Sequence, residues 1–310
     1  MDYLIFSFSL MLVYIGLAQL LHVQFGLLGI PNFGVVGFWG LGLYGTGVLY
    51  VSYDVPLVPA IIVASLIVAV VSYVLASMVL QRSGQAILAA TLAFAAMVAT
   101  LVVTEKQLTN GVQGLGTIGF PFGDLASRNV VYFGVLLAVV VALIWVSAKL
   151  RDSRMGRMMI AIRDNEELAA SLGKDTAGTK RTVFVVTCAL MGLLGGLTAP
   201  LHQFLVPYHL APSLTFAVWI ALVLGGKSHN LGAMIGVFAT FGLFDILIET
   251  YAPVPAEQAI MLPNFKLFCY GVLLVMIIMF RPAGMLGEDR PRHRARADAA
   301  PANDTAVKEG

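Results

Sequence analysis

The chain has 310 residues, of which 59% are hydrophobic and only 12% are charged, and its mean hydropathy is +0.87. An average soluble domain carries about 25% charged residues, so this composition excludes an ordinary soluble domain, and the net charge of +2 does not indicate a nucleic-acid partner. The sequence contains no P-loop, CxxC, HExxH or GxSxG motif. It therefore indicates no cofactor, no metal and no ATP hydrolysis by the chain itself. We expect an all-α, polytopic integral membrane protein that is not an enzyme.

Long apolar segments follow one another along the chain. Each has roughly the 20 residues that a helix needs to cross a bilayer, although the seventh is short for a full crossing. They lie near residues 3–21, 28–50, 56–80, 85–104, 130–149, 182–204, 213–226, 231–249 and 265–280. The sequence thus predicts about 8–10 transmembrane helices within one membrane domain, residues 1–287. The polar, Ala/Pro/Arg-rich residues 288–310 are expected to form a disordered cytoplasmic tail.

The distribution of Lys and Arg predicts the orientation. Sixteen of the nineteen fall in four regions that alternation places on one side, namely Arg82, residues 149–181, Lys227 and the tail from Arg281. Cytoplasmic loops carry the excess of basic residues, so these regions are predicted to be cytoplasmic. Strict alternation then places the N-terminus outside, whereas a re-entrant piece at 22–34 would place it inside.

The second apolar segment is rich in glycine. The run GLLGIPNFGVVGFWGLGLYGTG at residues 26–47 holds eight glycines together with Pro31 and Asn32. One interpretation is a discontinuous helix that lines a substrate path, because irregular backbone is tolerated in a membrane only against protein or a wet cavity. The other is a helix whose small residues allow close packing. Both interpretations remain open.

Two features are predicted to lie on the outer side. The turn-rich loop at 105–129 connects two helices, caps the pore or contacts a partner, and we favour a simple connection. His202 and His209 lie near the outer end of the sixth segment. No further metal ligands are nearby in the sequence, so we expect them to be structural and predict no metal site.

The 149–181 loop carries eight of the nineteen basic residues and a short helix signature. Asp164 and Glu167 fit a capping box at its start, and Gly173 fits the position just past its end. The intervening helix would present Leu168, Ala169 and Leu172 as a small apolar face. A helix this short is marginal alone, so it packs either on a partner protein or on the membrane surface, where basic residues meet anionic lipid.

Asp245 is the one charged residue predicted to lie well inside an apolar segment, with Glu249 one turn further on. Carboxylates inside a membrane are costly and are candidates for proton or cation sites. A self-sufficient proton-coupled carrier using Asp245 is therefore one hypothesis. A structural Asp near a helix end is the simpler interpretation, and we favour it slightly.

Several motifs resemble the permease subunits of branched-chain amino-acid ABC importers, and they are closer to the M-type than to the H-type of the paired subunits. The most specific is GRMMIAIRDNEELAASLGKD at 156–175. The others are NFGVVGFWGLGLYGTG at 32–47, SGQAILAATLAFA at 83–95, LTNGVQGLGTIGFP at 108–121, ALMGLLGGL at 189–197, LVLGGKSHNLGAMIG at 222–236 and FRPAGMLGE at 280–288. The resemblance spans about residues 20–287 and implies an ABC importer permease fold in the bacterial cytoplasmic (inner) membrane.

The resemblance also implies partners. These are a second permease subunit in a hetero-pair, two cytosolic subunits that bind ATP, and an extracytoplasmic solute-binding protein, with lipid around the helices. In such importers a cytoplasmic loop docks into the ATPase subunits. The positions carried over to that role are Gly156, Arg163, Asp164, Asn165, Glu167, Ala169, Ala170 and Gly173.

A candidate substrate path follows from the Gly-rich segment and the helices near 85–100 and 182–200. Its candidate residues are Asn32, Phe33, Gly34, Gly37, Thr91 and Asp245. The sequence departs from the family pattern at 32–35, where NFGV stands in place of the usual Ser-Leu-Gly-His, and at 227–230. Branched-chain amino acids are the expected substrates, and urea or short amides remain an alternative because related permeases import them.

Overall fold

A computed structural model describes residues 2–116, 118–119, 128–226 and 231–245, and positions 268, 269, 271, 272, 275, 276 and 279. Within these residues the chain is helical and forms no β-sheet. Its β-type pairing is limited to one isolated antiparallel bridge between Leu115 and Leu205. The helices are α1 Asp2–Leu21, α2 Val35–Ser52, α3 Leu57–Val79, α4 Gly84–Thr104, α5 Lys106–Thr109, α6 Arg128–Asp152, α7 Arg154–Asp164, α8 Glu166–Ser171, α9 Thr176–His202, α10 Pro212–Gly225 and α11 Gly232–Val237. π-helical segments at His22–Leu27 and Phe238–Asp245 extend α1 and α11.

The all-α, polytopic class predicted from composition is confirmed. Six helices of the described residues are long and apolar enough to cross a membrane, running Leu4–Leu27, Val35–Ser52, Leu57–Val79, Gly84–Thr104, Asn129–Asp152 and Thr176–His202. The predicted seventh and eighth segments correspond to the shorter apolar helices Pro212–Gly225 and Gly232–Gly242. Of the ninth segment, the structure describes only the seven positions given above, and these are helical. Residues 227–230, Glu249 and the predicted tail lie outside the described residues.

Helices α2 and α9 form the centre of the bundle, and small residues let their backbones meet. A Cβ added at Gly42 would lie 2.6 Å from the Cα of Gly192 and closer still to its carbonyl oxygen. One turn along α9, a Cβ at Gly195 would lie 2.8 Å from the backbone nitrogen of Leu43. Such approaches exclude any larger residue and increase dispersion contacts in lipid, where the hydrophobic effect does not drive helices together.

Each of the two backbone conformations expected for the Gly-rich segment occurs in a different part of it. From Val35 to Ser52 the helix is continuous and its glycines serve close packing. The irregular backbone precedes it, at residues 28–34. The prediction of one apolar segment over 28–50 was therefore wrong at its N-terminal end, since this part of the segment is not helical.

The periphery of the bundle carries large aliphatic side chains. On α3, Val58, Leu66 and Val70 are 59%, 60% and 65% exposed. On α6, Val141 and Trp145 are 55% and 62% exposed. Apolar surface of this kind suits the hydrocarbon core of a bilayer.

The segment after α4 folds back on the end of α9 instead of only connecting α4 to α6. Leu115 and Leu205 exchange backbone hydrogen bonds of 3.0 and 2.7 Å, and the amide of Ile118 donates to the carbonyl of Gln203. Gln203 itself has φ +55°, a strained conformation for a residue with a side chain. His202 and His209 stack beside this turn with ring centroids 4.0 Å apart.

Candidate functional site

The break between the first two spans, residues 28–34, is a non-helical part of the described membrane region. The π-helical segment ends at Leu27, and the chain then turns through Gly29, which has φ +77°. The amides of Gly29 and Ile30 donate back to the carbonyls of Phe25 and Gln24, at 3.1 and 2.9 Å. The break thus begins as a capped helix end rather than a loose loop.

A buried network of uncharged polar side chains fixes the middle of the break. Asn32 donates to the Oε1 of Gln24 at 2.9 Å and accepts from the amide of Gly34 at 2.7 Å. Gln24 in turn donates to the hydroxyl of Thr187 on α9 at 2.6 Å, and the Sγ of Cys188 lies 3.4 Å from its nitrogen. Because unsatisfied polar groups are expensive inside a membrane, this network stabilises one conformation of the break.

Two further helices bind the backbone of the break. The amide of Phe33 donates to the hydroxyl of Thr91 on α4 at 3.0 Å. The indole of Trp219 on α10 donates to the carbonyl of Asn32 at 2.9 Å, and its ring stacks on Phe33 with centroids 4.5 Å apart. Segments far apart in sequence, α1, α4, α9 and α10, therefore meet at residues 32–33.

Two glycines bring α4 against the break and the start of α2. A Cβ at Gly34 would lie 2.9 Å from the carbonyl oxygen of Thr91, and one at Gly37 would lie 2.8 Å from the Cα of Ala95. A larger residue at either position would push α4 away.

The structure brings five of the six predicted path residues to this one place: Asn32, Phe33, Gly34, Gly37 and Thr91. The sixth, Asp245, ends the π-helical segment after α11, where the structure describes its backbone only. Sequence reasoning missed Gln24, Thr187 and Trp219. A glutamine between the apolar residues Val23 and Phe25 was the one available signal for Gln24.

The predicted start of the cytoplasmic helix needs correction. Asp164 ends α7, and the residue that caps α8 is Asn165, whose side chain accepts from the amide of Leu168 at 3.0 Å. The capping box of Asp164 and Glu167 cannot form. In a box, the side chain of the third helical residue binds the amide of the N-cap residue, but here that amide already donates to Ala161 and the third residue is Leu168.

The predicted end of α8 at Gly173 is confirmed. Gly173 has φ +76°, its amide donates to Ala170, and the amide of Lys174 donates to Ala169. These two bonds define a Schellman motif, in which glycine is favoured because the conformation is left-handed. The helix is thus capped at both ends. These caps stabilise a six-residue helix that would be marginal by its length alone.

The three apolar residues of α8 and its C-cap do not form one face. Ala169 is buried, at 5% exposed, and packs inward, whereas Leu168 and Leu172 are 57% and 72% exposed. The prediction of a single apolar face was therefore wrong. Glu166 forms an ion pair with Lys180 on α9, which ties the start of α8 to the bundle.

The remaining predicted cytoplasmic positions divide between packing and surface. Gly156 is buried where α6 meets α7, and a Cβ there would overlap the carbonyl of Leu150. Glu167 and Ala170 are exposed on α8. The exposed part of α8 together with Asn165, Leu172 and Gly173 is called the α8 surface below.

Comparison with known proteins identifies the family. The profile of the branched-chain amino acid transport system / permease component family matches residues 3–278. The chain belongs to this family. It is thus a transport permease that spans the membrane several times, as the six apolar helices indicate.

Individual relatives agree with this assignment. The chain is 27% identical to the high-affinity branched-chain amino acid transport system permease protein LivM of Escherichia coli (strain K12), over 94% of this chain and 72% of the relative. It is 24% identical to the probable LivM of Methanocaldococcus jannaschii, over 90% and 93%. The probable LivH of the same archaeon is 24% identical over 74% of each chain. No solved structure matches the chain significantly.

Proposed function

We propose that this chain is the membrane-spanning permease subunit of an ATP-driven importer that translocates branched-chain or related amino acids delivered by a binding protein. The observation that carries the proposal is the α8 surface, where Leu168 and Leu172 stand exposed on a short helix that is capped at both ends. A protein partner that covered these two leucines would remove their apolar surface from water, which supports the proposal.

The proposed partner at the α8 surface is one of two cytosolic ATP-binding subunits. The ion pair between Glu166 and Lys180 joins α8 to α9, and α9 carries Thr187 and Cys188 of the buried network. A displacement of α8 would therefore reach the break through α9. ATP binding and hydrolysis on the partner would drive this displacement, and the chain itself would have no catalytic role.

The other proposed partners are a second permease subunit and an extracytoplasmic solute-binding protein. The LivM relatives from Escherichia coli and Methanocaldococcus jannaschii are matched over more of this chain than the LivH relatives from the same organisms. This difference supports an M-type subunit in a hetero-pair. The inner membrane of a bacterium is the proposed location.

The break is the proposed substrate path. The amide and hydroxyl side chains within and around it, Gln24, Asn32, Thr91 and Thr187, are uncharged, and the aromatic rings of Phe33 and Trp219 lie beside them. Uncharged hydrogen-bonding groups next to apolar rings suit a small zwitterion with an apolar side chain. Urea and short amides would also find partners among these groups, so a substrate panel includes them.

The experiment begins with purification of the tagged permease in mild detergent and identification of co-purifying proteins by mass spectrometry. A P-loop ATPase is expected, and the double substitution Leu168→Ser and Leu172→Ser should release it. Arg157→Gln, on the exposed side of α7 and outside the α8 surface, is the control and should retain it.

The purified complex is then reconstituted in proteoliposomes, and ATP-dependent uptake of leucine, urea and acetamide is compared. Uptake without any ATPase, abolished by Asp245→Asn, would contradict the importer and support the proton-coupled carrier. ATP-driven uptake of urea in preference to leucine would contradict the amino-acid assignment alone.

A further inference from the structure

Arg163 lies at the junction between the cytoplasmic helices and the break. Its Nη1 donates to the carbonyl oxygen of Gly26, near the end of the π-helical segment. Its Nε and Nη2 donate to the Oδ1 of Asp164 at 3.2 and 3.1 Å. A single guanidinium plane thus holds the first span and the end of α7 together, a geometry that the fixed fork of arginine permits.

The bond to Gly26 completes the cap of the first span. The last carbonyls of a helix lack partners within the helix. Here the carbonyls of Gln24 and Phe25 accept from the chain that follows, through the amides of Ile30 and Gly29. The carbonyl of Gly26 accepts from Arg163 instead, so the cap depends on a residue of the cytoplasmic helix α7.

The contact is steric as well as polar. A Cβ added at Gly29 would lie 2.9 Å from the Cγ of Arg163 and 3.6 Å from its Cα. The stem of Arg163 therefore covers Gly29, where φ is +77°. The break begins against this stem, and three residues later Asn32 is bound to Gln24 and Trp219.

We propose that Arg163 is a positioning residue that transmits the movement of α7 and α8 directly into residues 28–34, in addition to the route through α9. Asn165, two residues after Arg163, caps α8. A displacement of α8 therefore moves the guanidinium, which moves the end of the first span and the start of the break. This inference rests on the proposed function, because the displacement comes from the ATP-binding subunits.

The test uses the full complex in proteoliposomes with its binding protein, and it measures molecules of solute taken up per ATP hydrolysed. Arg163→Gln should lower this ratio about tenfold, the factor expected for one charge-assisted hydrogen bond. Arg157→Gln is the matched control. Arg157 lies on the exposed side of α7, and its described side-chain hydrogen bond goes to the nearby carbonyl of Asp152. The ratio of solute to ATP should therefore stay unchanged in Arg157→Gln.

Arg163→Lys keeps the charge and the stem but cannot bind Gly26 and Asp164 in one plane, so its ratio should lie between those of wild type and Arg163→Gln. It also serves as the second variant if Arg163→Gln does not insert. Gly29→Ala should lower the ratio through the same contact. The double variant Gly29→Ala, Arg163→Gln should then lose less than the product of the two single losses.

Hydrogen exchange on the same samples provides the readout of position. The amides of Gly29 and Ile30 should exchange faster in Arg163→Gln and at the wild-type rate in Arg157→Gln. A wild-type complex without ATP-driven uptake would overturn the importer and this inference with it. An active wild type with an unchanged ratio in Arg163→Gln, or a lowered ratio without faster exchange at these amides, would overturn the role of Arg163 and leave the importer standing.

Discussion

Replacement of Asn32 by alanine gives the most direct test of the buried network. The side chain of Asn32 supplies a donor to Gln24 and an acceptor to the amide of Gly34, at 2.9 and 2.7 Å. Alanine removes both, so a buried carbonyl and a buried amide lose these partners together. The break should become less well defined because its central hydrogen bonds are missing.

The size of the effect follows from these two bonds. In water-soluble proteins an unsatisfied buried group costs about 1–3 kcal/mol, whereas side-chain hydrogen bonds within membranes average about 0.6 kcal/mol. Two bonds at values between these limits give about 2 kcal/mol, or roughly a thirtyfold change in the equilibrium that favours the observed conformation. The fully buried position of Asn32 favours the upper part of this range.

The assay is thermal unfolding of the detergent-purified permease, followed by uptake in proteoliposomes. Asn32→Ala should lower the unfolding midpoint and reduce uptake. Thr104→Ala is the control, because the exposed hydroxyl of Thr104 donates to carbonyls of its own helix. An unchanged midpoint with unchanged uptake in Asn32→Ala would refute the reasoning that this network holds the break.

Two further predictions concern packing and pH. Gly42→Ala should reduce insertion and lower the free energy of unfolding by about 1–3 kcal/mol, because the added methyl group overpacks against Gly192. Folded yield and the unfolding midpoint measure the two effects. Gly134→Ala is the control and should match wild type, because a Cβ there meets nothing within 4 Å. Burial lowers the pKa of His209 below its ordinary 6.5, so His209 binds a proton more readily in the unfolded chain than in the folded one. Its neutral form therefore contributes fully to stability above pH 6.5, and this contribution is lost as the pH falls below that value. The unfolding midpoint should therefore fall on acidification, and less so in His209→Gln; an equal fall in both would show that His209, stacked on His202, does not control it.

The sequence predicted correctly those features that depend on residues close together in the chain. The length and hydropathy of the apolar runs predicted the membrane-spanning class, because the cost of placing charge in hydrocarbon acts on each segment separately. Gly173 was predicted as a helix end, since a left-handed residue after a helix favours glycine wherever it occurs. The predicted orientation of the chain and the coupling role of residues 156–173 stay predictions.

The same local reasoning failed where two adjacent residues suited the same position equally well. Asp164 and Asn165 are both good N-cap residues. In the structure Asn165 caps α8, whereas Asp164 ends α7 and accepts from the guanidinium of Arg163. Similarly, helical spacing alone could not separate Ala169 from Leu168. The bundle accommodates the small side chain and leaves the large one exposed.

The sequence by itself determined that this protein is a helical membrane protein, and its family resemblance indicated a permease. Its Gly, Pro and Asn residues left open whether the second apolar segment is broken. Only the tertiary structure decided what the break is bound to. Its hydrogen-bond partners lie 58 residues away at Thr91 and 187 residues away at Trp219, and Gln24 reaches Thr187 across 163 residues. Such pairings depend on how the helices pack around the close contacts of α2 with α9, a property of the assembled bundle that no single segment encodes.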